Sequence, residues 1–233
     1  MQNTDVAAIK KPAHKIHIGR IIVFTLLVIW GIIQVYPIFW LFLFSFKNNT
    51  EIFGGNVLGF PKVWQFSNYS TAMTSGNVGI YFLNSLIITV VTIIVSSILI
   101  ATTSYAIVRM KWKLSKVTLT VFTMGLMIPL HAALLPLFVI LKNLGLLNTH
   151  LALIVPYVAF ALPMGIFIMT GFLYSIPREL EEAACIDGCN IYQIFVRIIL
   201  PLIRPGLATV AIFTYLSTWN ELMFANTFIS DEK

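Results

Sequence analysis

The stretch IIVFTLLVIWGIIQVYPIFWLFLFSF, from Ile21 to Phe46, contains no charged residue. As a helix it would be about 39 Å long at about 1.5 Å per residue, which is enough to cross a hydrocarbon core of about 30 Å with room for tilt. The stretch is too long for the apolar core of a signal peptide, and no A-x-A cleavage site comes after it. It therefore predicts a membrane-spanning helix.

Four further uncharged stretches come later in the chain, and the composition agrees with them. Hydrophobic residues make up 58% of the 233 residues and charged residues only 10%, whereas about a quarter of the residues in soluble domains are charged. The sequence therefore predicts an all-α membrane protein, built as a polytopic helical bundle. The predicted spans are residues 21–46, 81–108, 117–141, 151–176 and 205–225, the last of them uncharged from Pro205 to Asn220.

The positions of lysine and arginine predict the orientation of these spans, because basic residues mark the cytoplasmic side. The N-terminal segment 1–20 and the loop 177–204 are predicted to be cytoplasmic, and the loop from Lys47 to Ile80 external. This topology accounts for the net charge of +6, so nucleic-acid binding is not predicted. The basic residues on the predicted cytoplasmic side are Lys10, Lys11, Lys15, Arg20, Arg109, Lys111, Lys113, Lys116, Arg178, Arg197 and Arg204.

The uncharged stretches lack the charged side chains that most ion-coupled carriers and pumps use. Ion-coupled transporters and pumps usually keep ionisable residues within the membrane, and here the uncharged stretches contain no Asp, Glu, Lys or Arg and one histidine, His131. The chain also has no G-x-x-x-x-G-K-[ST] phosphate loop. With only Cys185 and Cys189, it has too few cysteines for a closed zinc site. Energy for transport is therefore expected from another subunit.

The segment ELEEAACIDG, from Glu179 to Gly188, holds four of the nine acidic residues. Pro177 suits the start of a short helix, and Gly188 suits the left-handed residue just past its end. The helix dipole favours acids in the first turns but disfavours Asp187 at the end. Asp187 could meet a cationic partner or cap the next helix. Because an anionic inner leaflet would repel an acidic helix, the helix is interpreted as a docking element for a soluble protein.

A second amphipathic helix is predicted after Gly188, and Pro201 and Pro205 interrupt the chain before the fifth span. Its apolar residues recur at the spacing of one helical face. Such a helix fits the membrane interface on the cytoplasmic side. The residues of this face are Ile191, Ile194, Phe195, Ile198, Ile199 and Leu202.

The spacing of Glu182-Ala183-Ala184, Gly188, Ile198 and Leu200-Pro201 resembles the EAA signature of permease subunits in binding-protein-dependent ABC importers. The segments MIPLHAALLPLF, residues 127–138, and WNELMFANTF, residues 219–228, are similar to the maltose-type, carbohydrate-transporting branch. The resemblance extends over nearly the whole chain from Ile21.

The resemblance implies the type I ABC importer permease fold, with one transmembrane domain over 21–233 and a sixth span beyond the chain end. The acidic helix would then be the coupling helix that contacts an ATPase subunit. The implied partners are a second permease, two ATPase subunits that carry ATP and Mg²⁺, and an extracellular solute-binding protein. This chain would itself be no enzyme, hold no cofactor, and lie in the bacterial plasma membrane. The predicted coupling residues are Glu179, Glu181, Glu182, Ala183, Ala184, Asp187 and Gly188.

The predicted cargo is a carbohydrate, most simply an oligosaccharide. Sugars are held by aromatic faces and neutral hydrogen-bonding groups, while Glu221 is expected on a solvated outer rim. Alternatives are another cargo in the same family, such as a glycerol phosphodiester, phosphorylated polyol, amino acid or peptide, and a carrier or scaffold that needs no ATPase. The candidate pathway residues are Tyr157, Phe160, Tyr215, Trp219, Asn220 and His131, which stands where many relatives carry glutamine.

Overall fold

The computed structural model describes residues 18–110 and 112–230, and within these ranges every regular element is a helix. This confirms the predicted all-α class, while most of the predicted cytoplasmic segment 1–20 lies outside the described residues. The α-helices are α1 (Ile18–Phe44), α2 (Asn49–Phe53), α3 (Ser67–Thr74), α4 (Val78–Arg109), α5 (Ser115–Gly125), α6 (Leu134–Asn143), α7 (Leu151–Ser175), α8 (Glu179–Ile186), α9 (Ile191–Ile194), α10 (Leu200–Leu202), α11 (Arg204–Trp219) and α12 (Met223–Phe228). A 3-10 helix covers Leu130–Ala133, and a π-helix covers Phe195–Ile199.

The chain separates into two compact units, one ending at Val78 and one beginning at Gly79. The single transmembrane domain expected over 21–233 stays a prediction. Among the described residues, three helices, α1, α4 and α7, are long and apolar enough to cross a membrane, and two bent helix pairs raise the number to five if each pair is one span. Both bent pairs lie in the second unit.

The first unit consists of α1 and a folded loop that carries α2 and α3. Most side chains of α1 are exposed and apolar. In the loop, the Glu51 carboxylate accepts hydrogen bonds from the backbone N–H groups of Lys62 and Val63 and from the Asn56 amide. The Lys62 N–H above all, helped by the Val63 N–H, the Asn56 amide and the Lys47 charge, holds the pKa of Glu51 below its usual range, against the opposing effect of desolvation. The loop is therefore organised around one ionised carboxylate.

Helices α4 and α7 meet where Ile100 of α4 lies against Gly165 of α7. Ser96 and Ser104 of α4 are fully buried. They are separated by two intervals of four residues, a spacing that places side chains on one face of a helix. A Cβ at Gly165 of α7 would overlap Cδ1 of Ile100 and lie 2.8 Å from its Cγ1. Glycine at position 165 therefore leaves the space that the Ile100 side chain fills, as is common where membrane helices approach closely.

The predicted third span, residues 117–141, is not one continuous helix. Helix α5 ends at Gly125, the chain turns, and the helical segment Leu130–Asn143 runs at 93° to α5. Pro129 has extended backbone angles and no N–H group to donate, and the residue before a proline is disfavoured in the helical region. The break was signalled by this proline, but the apolar composition on both sides of it predicted a single span.

The predicted fifth span is also shorter than expected. Helix α11 runs from Arg204 to Trp219 and lies at 70° to the helical segment Ile191–Leu202 before it. At about 1.5 Å per residue its length is about 24 Å, less than a hydrocarbon core of about 30 Å. A separate helix, α12, begins at Met223. Glu221 lies in the turn between the two helices.

The second amphipathic helix is present over Ile191–Leu202, with a π-helical centre. The Leu200 N–H donates to the carbonyl of Phe195, five residues earlier, and Pro201 supplies no N–H to continue the regular ladder. The extra residue in this turn rotates the predicted apolar face. Along this helix Ile194 and Ile199 are buried, whereas Ile191 is 40% and Leu202 46% exposed.

Candidate functional site

The acidic helix forms where the sequence predicts it. Helix α8 runs from Glu179 to Ile186 with three acids in its first turn. Gly188 has φ +84°, the left-handed conformation expected of the residue that ends the helix. Asp187 was considered either as a contact for a cationic partner or as the cap of the next helix. Another residue provides that cap. The Asn190 side chain accepts from the Gln193 N–H at the start of α9.

One face of α8 is exposed and the opposite face is buried. Glu179, Glu182, Ala183 and Ile186 follow the spacing of one helical face. All four of these residues are exposed to solvent. We call this set the docking stripe. Ile186, which the sequence pattern did not single out, is 87% exposed. An exposed apolar residue at the end of a short acidic helix is an additional signal of a protein contact.

Two residues predicted to contact a partner face the interior of the chain instead. Ala184 is 5% exposed and packs in the core formed by α4 and α7, because it lies on the side of α8 opposite the docking stripe. The Oε1 atom of Glu181 lies 2.8 Å from Nε of Arg109, and these side chains are 15% and 5% exposed. In this chain Ala184 therefore packs in the core and Glu181 forms an ion pair, while a direct contact of either residue with an ATPase stays a prediction.

Arg109 connects three helix ends. Its Nη2 atom donates to the carbonyls of Leu173 and Ile176, at 2.9 and 2.7 Å, at the end of α7. The Tyr105 hydroxyl donates to Oε2 of Glu181 at 3.3 Å. We call Arg109, Glu181 and Tyr105 the clasp. From the sequence, Arg109 was interpreted only as a topology marker, although an arginine that ends a long apolar helix is also placed to bind neighbouring carbonyls.

A second residue on the N-terminal side of α8 reinforces this connection. Nη2 of Arg178 donates to the carbonyl of Val108 at 3.2 Å. The last turn of α4 therefore accepts a hydrogen bond from Arg178, the residue before α8. In the other direction, the Arg109 guanidinium of α4 contacts α7 and α8. A cation at the C-terminal end of a helix is favoured by the helix dipole.

A cavity of about 240 Å³ lies in the second unit, beside the break in the third span. Tyr157 and Phe160 of α7, both predicted pathway residues, line it. The lining is mostly apolar, with a few polar groups that converge from the end of α11. The remaining lining residues are Gly125, Leu126, Ile128, Leu130, Ala161, Pro163, Ser217, Thr218 and Glu221.

Glu221 is a functional candidate that was expected on a solvated rim. It lines this cavity, and its Oε2 atom accepts a hydrogen bond of 2.7 Å from the Tyr157 hydroxyl. Its other oxygen accepts from the Phe224 N–H at 2.9 Å. The carboxylate therefore caps α12 while presenting a negative group to the cavity. The turn between α11 and α12 brings it inward, and no periodic pattern in the sequence reveals that turn.

The other predicted pathway residues lie elsewhere in the unit. The ring centroids of Tyr215 and Trp219 lie 5.6 Å apart in a stacked arrangement. Those of Trp219 and Phe82 lie 5.7 Å apart in an edge-to-face arrangement. The Asn220 amide donates to the Leu216 carbonyl. His131 lies in the 3-10 helix that comes after the break. The structure thus brings Tyr157 and Phe160 together but leaves these four outside the cavity lining.

Comparison with known proteins gives the family. Residues 94–233, which include the clasp and the whole of α8, match the family described as binding-protein-dependent transport system inner membrane component. The chain belongs to this family. The predicted resemblance is thereby confirmed, and the chain is a permease subunit of a transporter with several apolar membrane helices.

Individual relatives agree with this assignment. The diacetylchitobiose uptake system permease protein of Streptomyces coelicolor is 39% identical over 207 residues, which are 89% of this chain and 68% of the relative. The probable starch degradation products transport system permease protein of Thermoanaerobacterium thermosulfurigenes is 33% identical over 216 residues, 93% of this chain and 78% of the relative.

A solved structure resembles the permease over almost its whole length. The crystal structure of a bacterial ABC transporter that imports the acidic polysaccharide alginate contains a chain with a TM-score of 0.81 and 25% identity. The match covers 96% of this chain and 79% of the other. The predicted ABC importer permease fold is confirmed.

Proposed function

We propose that this permease moves a carbohydrate into the bacterial cytoplasm and is powered by an ATPase subunit that docks on α8. The observation that carries the proposal is the docking stripe, a row of two acids, a small residue and an isoleucine on a helix whose other face is fixed in the core. Acids on such a row supply charge complementarity to a basic partner, and the alanine permits close approach.

The physical case for a separate energy source comes from the membrane helices. Helix α7 contains no charged residue, and α4 has only Arg109 at its end. Arg109 is already engaged by Glu181 and by backbone carbonyls, so it offers no free seat for a coupling ion. Transport driven by nucleotide hydrolysis on a partner fits this arrangement. We infer two ATPase subunits with ATP and Mg²⁺, a second permease and an external solute-binding protein, with no cofactor on this chain.

The cargo inference rests on the cavity and on the relatives. Aromatic rings and hydroxyl groups, here from Tyr157, Phe160 and Ser217, are suited to sugars. The Glu221 carboxylate at the same cavity accepts hydrogen bonds from hydroxyl groups and repels anions. The relatives named above transport diacetylchitobiose and starch degradation products according to their names. A neutral oligosaccharide is therefore favoured over a glycerol phosphodiester.

The orientation belongs to the same proposal. We infer a cytoplasmic N-terminus, because α8 must face the compartment that contains the ATPase. The basic residues Arg178, Arg197 and Arg204 surround α8 in sequence and favour the same side. The folded loop between α1 and α4 would then face outward, towards the binding protein.

Uptake by the reconstituted complex tests this function. The permease, its second permease and ATPase are placed in proteoliposomes, with the binding protein outside and ATP inside. Accumulation of a neutral oligosaccharide is expected to continue when the proton gradient is dissipated, and it is expected to stop when ATP is omitted. Uptake that follows the proton gradient, or transport of glycerol phosphodiesters in preference to all sugars tested, would count against the proposal.

A further inference from the structure

The clasp joins the coupling helix to a membrane helix that is distant in sequence. Helix α8 is connected to α7 through Ile176 and Pro177, and Ile176 is extended, with ψ 124°. The chain at this point makes a short irregular link. Helix α4, by contrast, is separated from α8 in the chain by α5, α6 and α7. Its contacts with α8 pass through the Arg109–Glu181 ion pair and the Tyr105 hydroxyl.

We propose that Arg109 and Glu181 are positioning residues that transmit the movement of α8 to both α4 and α7. This inference rests on the proposed docking of an ATPase on α8. When α8 is displaced, the guanidinium pulls on Glu181 on one side and on the carbonyls of Leu173 and Ile176 on the other. The two helix ends therefore move with α8 as one body.

Arg109 connects α7 and α8 through hydrogen bonds on one side and an ion pair on the other. A guanidinium is planar and presents its donors in a fixed fork, so it holds several acceptors at set angles, which a lysine ammonium cannot do. In Arg109, Nη2 donates hydrogen bonds to two carbonyls of α7, whereas Nε lies 2.8 Å from Oε1 of Glu181 as an ion pair without the alignment of a hydrogen bond. Arg178 adds a further hydrogen bond to Val108. Together these contacts join the ends of α4 and α7 to the start of α8.

A contribution to the stability of the fold does not by itself explain the Arg109–Glu181 ion pair. Removing two charges from water is costly, and replacing a buried ion pair by apolar residues of similar volume is often neutral or stabilising. Both side chains here are largely buried, 5% and 15% exposed. An apolar pair would fill the same space beside Ala184 without the cost of desolvation. Such a pair would, however, lose the fixed connection between the three helix ends.

This difference supplies the test. The complete transporter is prepared with Arg109→Met, with Glu181→Leu and with both changes, and Lys116→Met serves as the matched control because Lys116 is an exposed basic residue near the start of α5. Each preparation is assayed for ATPase co-purification, for thermal stability and for molecules transported per ATP hydrolysed. The single variants leave one charge buried and unpaired, so they are expected to be the least stable.

The variant with both changes distinguishes a coupling role of the ion pair from a packing role. We expect it to regain the thermal stability of the unmodified protein and to retain the ATPase, while transport per ATP falls about tenfold, which is within the usual range of coupling between distant sites. Lys116→Met is expected to leave all three measurements unchanged. A double variant with normal transport per ATP would overturn the inference and leave the pair as a packing feature.

Two further results keep the test decisive. If the double variant does not accumulate, Glu181→Gln replaces it, because glutamine keeps the shape and the acceptor for Tyr105. A several-fold loss of transport per ATP then supports the inference, and normal transport contradicts it. If no ATPase co-purifies even with the unmodified permease, the proposed docking itself fails, and this outcome is distinct from normal coupling in the double variant.

Discussion

The Glu182→Lys variant is expected to lose ATP-driven uptake and to stop co-purifying with the ATPase subunit. Glu182 belongs to the docking stripe, on the face of α8 that turns away from Ala184 and the core. A reversed charge at a complementary interface places like charges together and costs several kcal/mol, which lowers affinity by at least about a hundredfold. The fold of the permease should be unchanged, because the side chain lies outside the core cluster.

The measurement is a pull-down of the tagged permease from detergent-solubilised membranes, after co-production with its partner subunits. Glu182→Gln is the graded control, expected to retain part of the ATPase because it removes the charge without reversing it. Charge reversal at Lys116, which is exposed, should leave the yield of ATPase unchanged. Equal ATPase recovery from Glu182→Lys and from the unmodified permease would contradict the docking role of the stripe.

Replacement of Gly165 by alanine is expected to destabilise the second unit by about 1 to 3 kcal/mol, the usual cost of an overpacked core. The added methyl overlaps Cδ1 of Ile100 and lies 2.8 Å from its Cγ1, so this fully buried side chain must shift within a packed core. At Gly171, in the same helix, an added methyl would have no atom within 4 Å, so Gly171→Ala is the matched control. It should be neutral or slightly stabilising, because alanine favours helix more than glycine does.

A double-mutant cycle checks the assigned cause. Ile100→Ala removes the atoms that the new methyl meets, so Gly165→Ala combined with Ile100→Ala should be more stable than the sum of the two single effects predicts. Thermal unfolding in detergent, followed by the loss of a monodisperse elution peak, gives the comparison. Strictly additive effects would mean that the two residues do not meet, and that α4 and α7 pack differently from this arrangement.

The sequence predicted the parts of the fold that depend on composition and on local backbone chemistry. The long apolar stretches at α1, α4 and α7 are predicted by hydropathy alone. The short acidic helix is predicted by the positions of Pro177 and Gly188, and Gly188 has the left-handed conformation that the pattern requires. The family was recognisable from the EAA spacing, because fixed positions over twenty or so residues are specific.

The features that sequence patterns missed depend on contacts between distant segments. Arg109 and Glu181 are far apart in the chain, and each has a complete local explanation, as a topology marker and as a first-turn acid. Their pairing appears only when α4 and α7 bring their ends together. Glu221 was misplaced for a similar reason, since the turn after Trp219 carries it towards Tyr157. The Pro129 break was visible but was outweighed by apolar composition.

The most direct measurement is the reaction rate of Cys185 with a maleimide in membranes, with and without the ATPase subunit. Cys185 is exposed on α8 beside the docking stripe, and Cys189, which is partly buried, is first replaced by serine. If the ATPase covers α8, labelling should slow at least about tenfold, because residues in the core of an interface are closed to solvent. Equal labelling rates with and without the ATPase would contradict docking on this helix.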